Sequence, residues 1–110
     1  IITTIAGTGS YGLGPDGVPA TSSALKGPVG VAGDSLGNIY FAEQGGYRVR
    51  IIQSGIVTTV IGTGTSGNAG FTYQIASSAP IYIILQIWVN SMGSLYVAEY
   101  GNCNIREVTS

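Results

Sequence analysis

Apolar and polar residues alternate along most of the chain in short runs that end at glycine-containing turns. A period of two predicts β-strands, because successive side chains of a strand point to opposite faces. The clearest run is NIYFAEQGGYRVRII at residues 38–52, which indicates two strands joined by a turn at 44–46. The pattern also predicts an apolar strand before this run at 29–32 and a further strand after it at 56–63.

The same pattern returns 56 positions later, as SLYVAEYGNCNIREV at residues 94–108. A second match joins IITTIAGTG at 1–9 with IVTTVIGTG at 56–64, where six of nine positions are identical. These matches define a tandem repeat within one unit, with repeat one at 1–54 and repeat two at 55–110. The chain of 110 residues is too short for two domains with separate cores.

The second repeat predicts strands at 85–89, 95–99 and 104–108, and residues 1–9 predict one more strand. The long connection that follows this first strand predicts only one or two helical turns, beginning near Pro19. Four short antiparallel strands in each repeat, at a period near 55, are typical of β-propeller blades. One blade cannot bury both faces of its sheet alone, so we expect the blades to stack.

Two sequence words carry a family resemblance, namely IITTIAGTG and GPDGVPATSSALKGPVGVAGDSLGNIYFAEQGGYRVRII. Nearly all of residues 1–64 resemble the NHL-repeat β-propellers, whereas the second repeat matches well only from Asn90 onward. The resemblance implies an all-β fold of about two blades, each with four antiparallel strands. It also implies that residues 1–8 are the outer strand of a blade whose inner strands lie elsewhere, such as 85–108 of another copy. The propeller is then incomplete unless other copies or a longer chain complete it.

The composition indicates that much of the surface is covered by something else. Hydrophobic residues make up 45% of the chain and charged residues only 8%, about a third of the usual charged share. Further copies, neighbouring blades or O-linked glycans would each cover such a surface, and we expect an extracellular or cell-surface location. Loop Ser and Thr residues that offer glycan sites are Thr21, Ser22, Ser23, Thr63, Thr65, Ser66, Ser77 and Ser78.

Several function classes are disfavoured by what the sequence contains. Four scattered cations do not form the basic patch of a nucleic-acid binder. The longest apolar run, at 80–89, is shorter than the roughly 20 residues of a membrane span. The chain has no histidine, so it holds no Ser-His-Asp triad, and we expect neither enzymatic activity nor a cofactor.

Two charged residue types recur at equivalent positions of the repeats. Glu43 matches Glu99, and Arg50 matches Arg106. Their recurrence favours a structural role over chemistry. We expect each carboxylate to pair with an arginine of the neighbouring blade or to accept hydrogen bonds from turn N–H groups.

Three further residues leave alternatives open. Asp16 and Asp34 lie in turn sequences, and either serve as turn aspartates or belong to a weak calcium site. The second repeat has Phe71 at the position of Asp16, so such a site is not repeated. Cys103 is either a half-buried turn residue or half of an intermolecular disulfide.

Three functions compete at this point. The first is a non-catalytic structural module whose blades assemble into an extracellular oligomer or filament, or belong to a longer propeller. The second is a ligand- or protein-binding propeller that acts as the sensor or adhesion part of a larger protein. The third, an enzyme fragment, lacks the usual catalytic groups. The low charge content favours the first.

Overall fold

A computed structural model describes residues 1–68 and 76–109 of the chain. Within these residues the fold consists of β-strands and two short 3-10 turns, at Ala20–Ser22 and Ala76–Ser78. The strands are β1 (Val18–Pro19), β2 (Pro28–Gly33), β3 (Ile39–Glu43), β4 (Arg48–Gln53), β5 (Ile56–Ile61), β6 (Ile84–Val89), β7 (Leu95–Glu99) and β8 (Asn104–Val108). None of the helical segments in the described residues is long and apolar enough to cross a membrane.

The strands form two antiparallel sheets that correspond to the two repeats. The first sheet has the order β1-β5-β4-β3-β2, and the second has the order β6-β7-β8. Strands β2 to β8 lie within two residues of the predicted bounds, which confirms the period-two assignment. We call β2 to β5 blade 1 and β6 to β8 blade 2.

The predicted strand at residues 1–9 is wrong for this chain, since the segment forms no strand. Its equivalent β5 pairs with β4, whereas no strand of the described residues pairs with residues 1–9. Two features were not predicted in this form. The strand β1 pairs with the outer edge of β5, and the helical turns expected after Pro19 reduce to one 3-10 turn.

An apolar core fills the space between the two blades. Tyr40 and Ala42 of β3 and Ile51 of β4 pack in one buried cluster with Leu95 and Val97 of β7. Because side chains alternate along a strand, each sheet presents one face to the other blade and one face away from it. A second, smaller cluster around Phe41 lies on the face of blade 1 that points away from blade 2.

The two blades stack head to tail. Tyr40 of blade 1 faces blade 2, but its equivalent Tyr96 alternates with the buried Leu95 and Val97 and so lies on the far face of blade 2. Tyr40 therefore packs between the two blades, whereas Tyr96 does not. The same sheet faces keep the same direction along the stack, as in a propeller or solenoid.

Gly62 joins β5 to the following connection with a positive φ of 105°, and its N–H donates to the carbonyl of Ala76. A Cβ at this position would clash with the carbonyl oxygen of Tyr47 and the backbone of Arg48. Gly55 also has a positive φ, of 80°, but no atom lies within 4 Å of its Cβ position. A side chain at Gly55 would therefore meet backbone strain alone, whereas a side chain at Gly62 would also meet a steric clash.

We expect Gly62→Ala to lower the free energy of unfolding by about 1–3 kcal/mol more than Gly55→Ala, since only the first also forces the backbone of Tyr47 and Arg48 to move. Urea unfolding of the two variants, followed by circular dichroism, measures the difference. Equal unfolding midpoints would show that the close approach at Gly62 does not contribute to blade stability.

Candidate functional site

A buried ionic cluster centres on Glu43 at the end of β3. The side chain of Glu43 is fully buried, and its Oε1 accepts hydrogen bonds from Arg48 Nε at 3.0 Å and Arg50 Nη1 at 3.1 Å. Its Oε2 accepts from the backbone N–H of Lys26 at 2.7 Å. Both arginines are buried as well. Two arginine cations and one backbone N–H therefore offset the cost of burying this carboxylate.

Strand pairing explains why these side chains meet. In the β3–β4 register Glu43 lies opposite Arg48 and Phe41 lies opposite Arg50. Alternation then places Glu43, Arg48 and Arg50 on one face of the sheet. The alternation in YRVRI at residues 47–51 places Arg48 and Arg50 on the same face of the strand. Their pairing with Glu43 also requires the turn that sets the register between β3 and β4.

The arginines connect the sheet to the connection at residues 14–26. Arg50 Nη2 donates to the carbonyl of Pro15 at 2.7 Å, to Asp16 Oδ1 at 2.9 Å and to Ser23 Oγ at 3.0 Å. Arg48 Nη2 donates to the carbonyl of Gly14 at 2.9 Å. The cluster thus holds a long connection, which has little regular structure of its own, against the face of blade 1.

Blade 2 repeats the centre of this arrangement in a smaller form. Glu99 Oε2 accepts from Arg106 Nε at 2.8 Å, and Oε1 accepts from the backbone N–H of Tyr82 and from Asn102 Nδ2, both at 3.0 Å. Asn104 stands where blade 1 has Arg48. Position 71, the equivalent of Asp16, lies outside the described residues.

Of the two arrangements expected for Glu43 and Glu99, the structure shows hydrogen bonds from backbone N–H groups and not an arginine of the neighbouring blade. Each carboxylate pairs with an arginine of its own blade and accepts from the backbone N–H of a connection, rather than reaching an arginine of the neighbouring blade. The physical reason is that glutamate and arginine sit on adjacent strands of one sheet. Because the carboxylate oxygens already accept hydrogen bonds inside the blade, their geometry suits fastening rather than proton transfer.

Asp16 and Asp34 do not share a site. Asp16 bridges two strands, with Oδ1 accepting from Arg50 and Oδ2 accepting from Thr59 Oγ1 at 2.7 Å. Asp34 Oδ1 instead accepts from the backbone N–H groups of Leu36 and Asn38, both at 2.9 Å. No cluster of three or more His, Cys, Asp or Glu side chains suited to a metal ion occurs in residues 1–68 and 76–109. The geometry gives both aspartates turn or bridging roles.

The second repeat shows what the turn at Asp34 requires. Its equivalent Asn90 accepts from the backbone N–H groups of Met92 and Ser94, both at 2.9 Å, through its side-chain oxygen. A neutral amide therefore makes the same turn. The hydrogen bond from the Asn38 side chain lowers the pKa of Asp34, assisted by the backbone N–H groups of Asn38 and Leu36.

Cys103 lies in the turn between β7 and β8 with a positive φ of 55°. The thiol is free and exposed rather than half-buried, and it contacts the carbonyl of Tyr100 at 3.7 Å. Its equivalent Tyr47 has the same backbone conformation, with a φ of 50°. The turn geometry therefore accounts for the position, and an intermolecular disulfide stays a prediction.

The most informative surface is the pair of end faces of the two-blade stack. Val49 of blade 1 is 0% exposed against blade 2, whereas its equivalent Ile105 on the far face of blade 2 is 70% exposed. Ile87 of blade 2 is 5% exposed against blade 1, whereas its equivalent Val31 on the far face of blade 1 is 71% exposed. Each end face is therefore equivalent to one of the two surfaces that pack together where blades 1 and 2 meet.

Each end face contains a groove lined largely by apolar side chains. An open groove on blade 2 is lined by Leu85, Ala98, Tyr100 and Ile105, among others. The groove on blade 1 is lined mainly by aliphatic and aromatic side chains, namely Ile5, Ala6, Leu25, Val31, Ile39, Phe41 and Ile52. Sequence reasoning did not locate these faces. The sequence repeat nevertheless contained the information. Each apolar position that packs against the other blade has an equivalent in the other repeat, and these equivalents mark the end faces.

An aromatic pair extends the face of blade 2. The rings of Trp88 and Tyr96 lie with centroids 5.5 Å apart, and Trp88 is 60% exposed. Tyr96 donates its hydroxyl to Glu107 Oε2 at 2.8 Å, and this hydrogen bond raises the pKa of Tyr96. The pair is a rigid apolar platform with a polar rim.

Comparison with known proteins gives structural neighbours only. No family model and no curated protein matches the sequence. A protein of unknown function from Bacteroides thetaiotaomicron VPI-5482 matches with a TM-score of 0.80 and 23% identity, over 93% of this chain and 26% of the other. An auxiliary nutrient binding protein from the same organism matches with a TM-score of 0.75 and 21% identity, over 96% and 28%.

A third structure, described as a putative phosphatase from the same organism, has a TM-score of 0.70 and 20% identity, over 94% of this chain and 25% of the other. The chain therefore spans about a quarter of each of these proteins. At such identities the likeness establishes the fold, which is all-β with antiparallel, propeller-like blades. It is compatible with a segment of an incomplete propeller.

We expect Glu43→Gln to lower the free energy of unfolding by about 3–5 kcal/mol, because it leaves Arg48 buried without a carboxylate and Arg50 with only the partly exposed Asp16. Asp16→Asn is the matched control. The Asp16 side chain is 41% exposed, and its loss leaves Arg50 paired with Glu43, so about 1 kcal/mol or less is expected. Urea unfolding measures both. Similar losses for the two variants would contradict the central role of Glu43.

The acid dependence of stability tests the turn at Asp34. Since the folded pKa lies below the ordinary value of 3.8, its contribution is fully present above that value and is lost as the pH falls through the folded pKa. Asp34→Asn should therefore reduce the fall in melting temperature between about pH 5 and pH 2. Asn90→Asp should increase it. An unchanged acid profile in both variants would refute this assignment.

Proposed function

We propose that this chain is a non-catalytic structural module of NHL type that works by stacking its two end faces on further propeller blades. The proposal rests on one observation: equivalent residues of the two blades are buried in one blade and exposed in the other. Val49 and Ile87 are buried where the blades meet, and Ile105 and Val31 are exposed where a further blade would meet them. An exposed apolar surface of this extent favours an interaction site.

The fate of the recurring charged residues supports a structural role. Glu43 and Glu99 are buried and take part in hydrogen bonds that hold each blade to its connection. Their neighbours Arg50 and Arg106 are occupied by the same carboxylates. A general acid or base has to reach a substrate, and these groups are turned toward the protein interior.

The setting of the module is part of the proposal. Further blades come either from a longer propeller chain or from an extracellular assembly of copies. O-linked glycans on the exposed loop residues Thr21, Thr63 and Thr65 would suit the second setting. Ser23 is removed from the expected glycan sites, because it is 0% exposed and accepts a hydrogen bond from Arg50.

A ligand- or protein-binding propeller is the second candidate. It is favoured by one structural neighbour, which is described as an auxiliary nutrient binding protein. The exposed ring pair of Trp88 and Tyr96 would offer a stacking platform to a flat or cyclic ligand. On this reading, a small molecule rather than a blade covers the end face of blade 2.

We expect Ile105→Asn and Val31→Asn each to weaken association of the module, because each places an amide in an apolar contact. The matched controls are Met92→Asn and Leu36→Asn. These two residues are both 85% exposed, but they lie in equivalent turns away from the end faces. Sedimentation velocity over a concentration series measures association.

Trp88, the single tryptophan of the chain, adds a second readout, since its emission should shift to shorter wavelength when a blade covers it. Face variants that associate like the turn variants would refute stacking. A shift of Trp88 emission caused by a small molecule, with the protein still monomeric, would favour the second candidate.

A further inference from the structure

A polar cleft opens beside the ionic cluster of blade 1. Its walls come from the long connection that precedes β2, from the start of β4, from the middle of β5 and from the glycine-containing segment that follows β5. The lining includes Leu13, Asp16, Arg48, Thr59 and Gly64. Its volume of about 390 Å³ lies within the range of about 300–1,000 Å³ that is typical of small-molecule sites.

This cleft is separate from the grooves on the two end faces, because it shares no lining residue with either of them. Its lining residues all lie between Leu13 and Gly64, so blade 1 and its adjoining connections build it without blade 2. The cleft is therefore a different surface from the one on which further blades would stack.

Arg48 supplies a donor from a buried position at the cleft. Its side chain is only 8% exposed, and its Nε and Nη2 donate to Glu43 and to the carbonyl of Gly14. Its third nitrogen, Nη1, has no hydrogen-bond partner among residues 1–68 and 76–109. Because a guanidinium always carries its protons and cannot accept, Nη1 is a donor that a molecule in the cleft can satisfy.

Asp16 and Thr59 supply acceptors to the same cleft. The Asp16 side chain is 41% exposed, and its carboxylate keeps lone-pair capacity beyond its contacts with Arg50 and Thr59. The Thr59 hydroxyl donates its proton to Asp16 Oδ2 at 2.7 Å, so its oxygen is left to accept a hydrogen bond from another molecule. The cleft thus combines one unused donor with two acceptors.

The charges around the cleft balance one another. Arg48 and Arg50 are offset by Glu43 and Asp16 in one connected set of ion pairs. An anion would meet the carboxylate of Asp16, and a cation would meet Arg48, so both are disfavoured. A hydroxyl group both donates and accepts without a charge, which matches the polar atoms of the cleft, and Leu13 adds an apolar surface for the carbon atoms of a ring.

We propose that this cleft binds an uncharged, hydroxyl-rich molecule of about the size of one monosaccharide. One hydroxyl accepts from Arg48 Nη1, and another donates to Asp16 or to Thr59 Oγ1. A free sugar and the terminal sugar of a glycan present the same hydroxyl groups, so either source fits. The site acts within blade 1 and does not require the end faces to be stacked.

Titration of the whole chain with glucose, galactose, mannose and fucose tests the site by proton–nitrogen correlation NMR. We expect at least one sugar, in the millimolar range, to shift the backbone signals of Thr59 and Gly64 and the Nε–H signal of Arg48. The indole signal of Trp88 should not move. A glycopeptide that carries the same sugar distinguishes the two sources, because it should bind more tightly than the free sugar only if the site is built for a glycan end.

Substitution of one cleft acceptor gives the second measurement, with Asp16→Asn as the variant and Asp34→Asn as its matched control. At position 16 an asparagine oxygen can still accept from Arg50, but the side chain presents an N–H donor in place of one acceptor, so sugar affinity should fall about tenfold or more. Asp34 lies in a turn outside the cleft, where its equivalent Asn90 makes the same contacts, so affinity should be unchanged. The same spectra show whether each variant is folded.

Thr59→Val removes the second acceptor while keeping the shape of the side chain, and it should also weaken sugar binding. Full affinity in both Asp16→Asn and Thr59→Val would overturn the proposal. So would sugar-induced shifts at Trp88 alone, a lack of shifts with every sugar, or a stronger response of the cleft signals to inorganic phosphate than to any sugar. None of these readouts depends on association, so failure of stacking would leave this test intact.

Discussion

Burial of one sheet face against the next is the contact on which the rest of this structure depends. A blade is only one sheet thick, so neither of its faces is shielded by the blade itself. The cluster around Ile51, Leu95 and Val97 covers one face of each blade, and full burial of each such side chain contributes about 1.5–3 kcal/mol. The other two faces carry exposed apolar side chains, such as Val31 and Ile105. Stacking of the two blades therefore contributes directly to the stability of this chain.

The buried charged side chains have a different role, because they attach the long connection to the sheet. Ala20, Val18 and Leu25 of the connection at residues 14–26 pack in the small apolar cluster around Phe41. The carbonyl oxygens of Gly14 and Pro15 in the same connection accept hydrogen bonds from the arginine side chains of the sheet. Glu43 then balances Arg48 and Arg50, so that the arginines can be buried at all. Burying such a cluster is costly, and breaking it by removing one member costs more.

Sequence periodicity predicted strands β2 to β8 well, because alternation and glycine turns are local signals. It failed at residues 1–9, since a segment with strong β propensity forms a strand only when another strand offers its edge. For Glu43 the sequence predicted a structural role, but not that Arg50 of the same blade would be the partner, because that depends on register. The sequence also could not predict the exposure of Tyr96. The repeat shows that Tyr96 is equivalent to Tyr40, but whether the side chain is buried depends on whether another blade packs on its face.

Comparison of the two repeats shows which side-chain property is kept at equivalent positions and which is not. At the turn, Asp34 and Asn90 make the same backbone contacts, so the charge is dispensable there. At Glu43 and Glu99 the carboxylate is retained along with its arginine, as a buried cation requires. At Val49 and Ile105 the apolar character is retained although only the first is buried. A polar residue would suit the exposed position 105 equally well if solvent were its final environment. The apolar side chain at position 105 supports the proposed cover by a further blade.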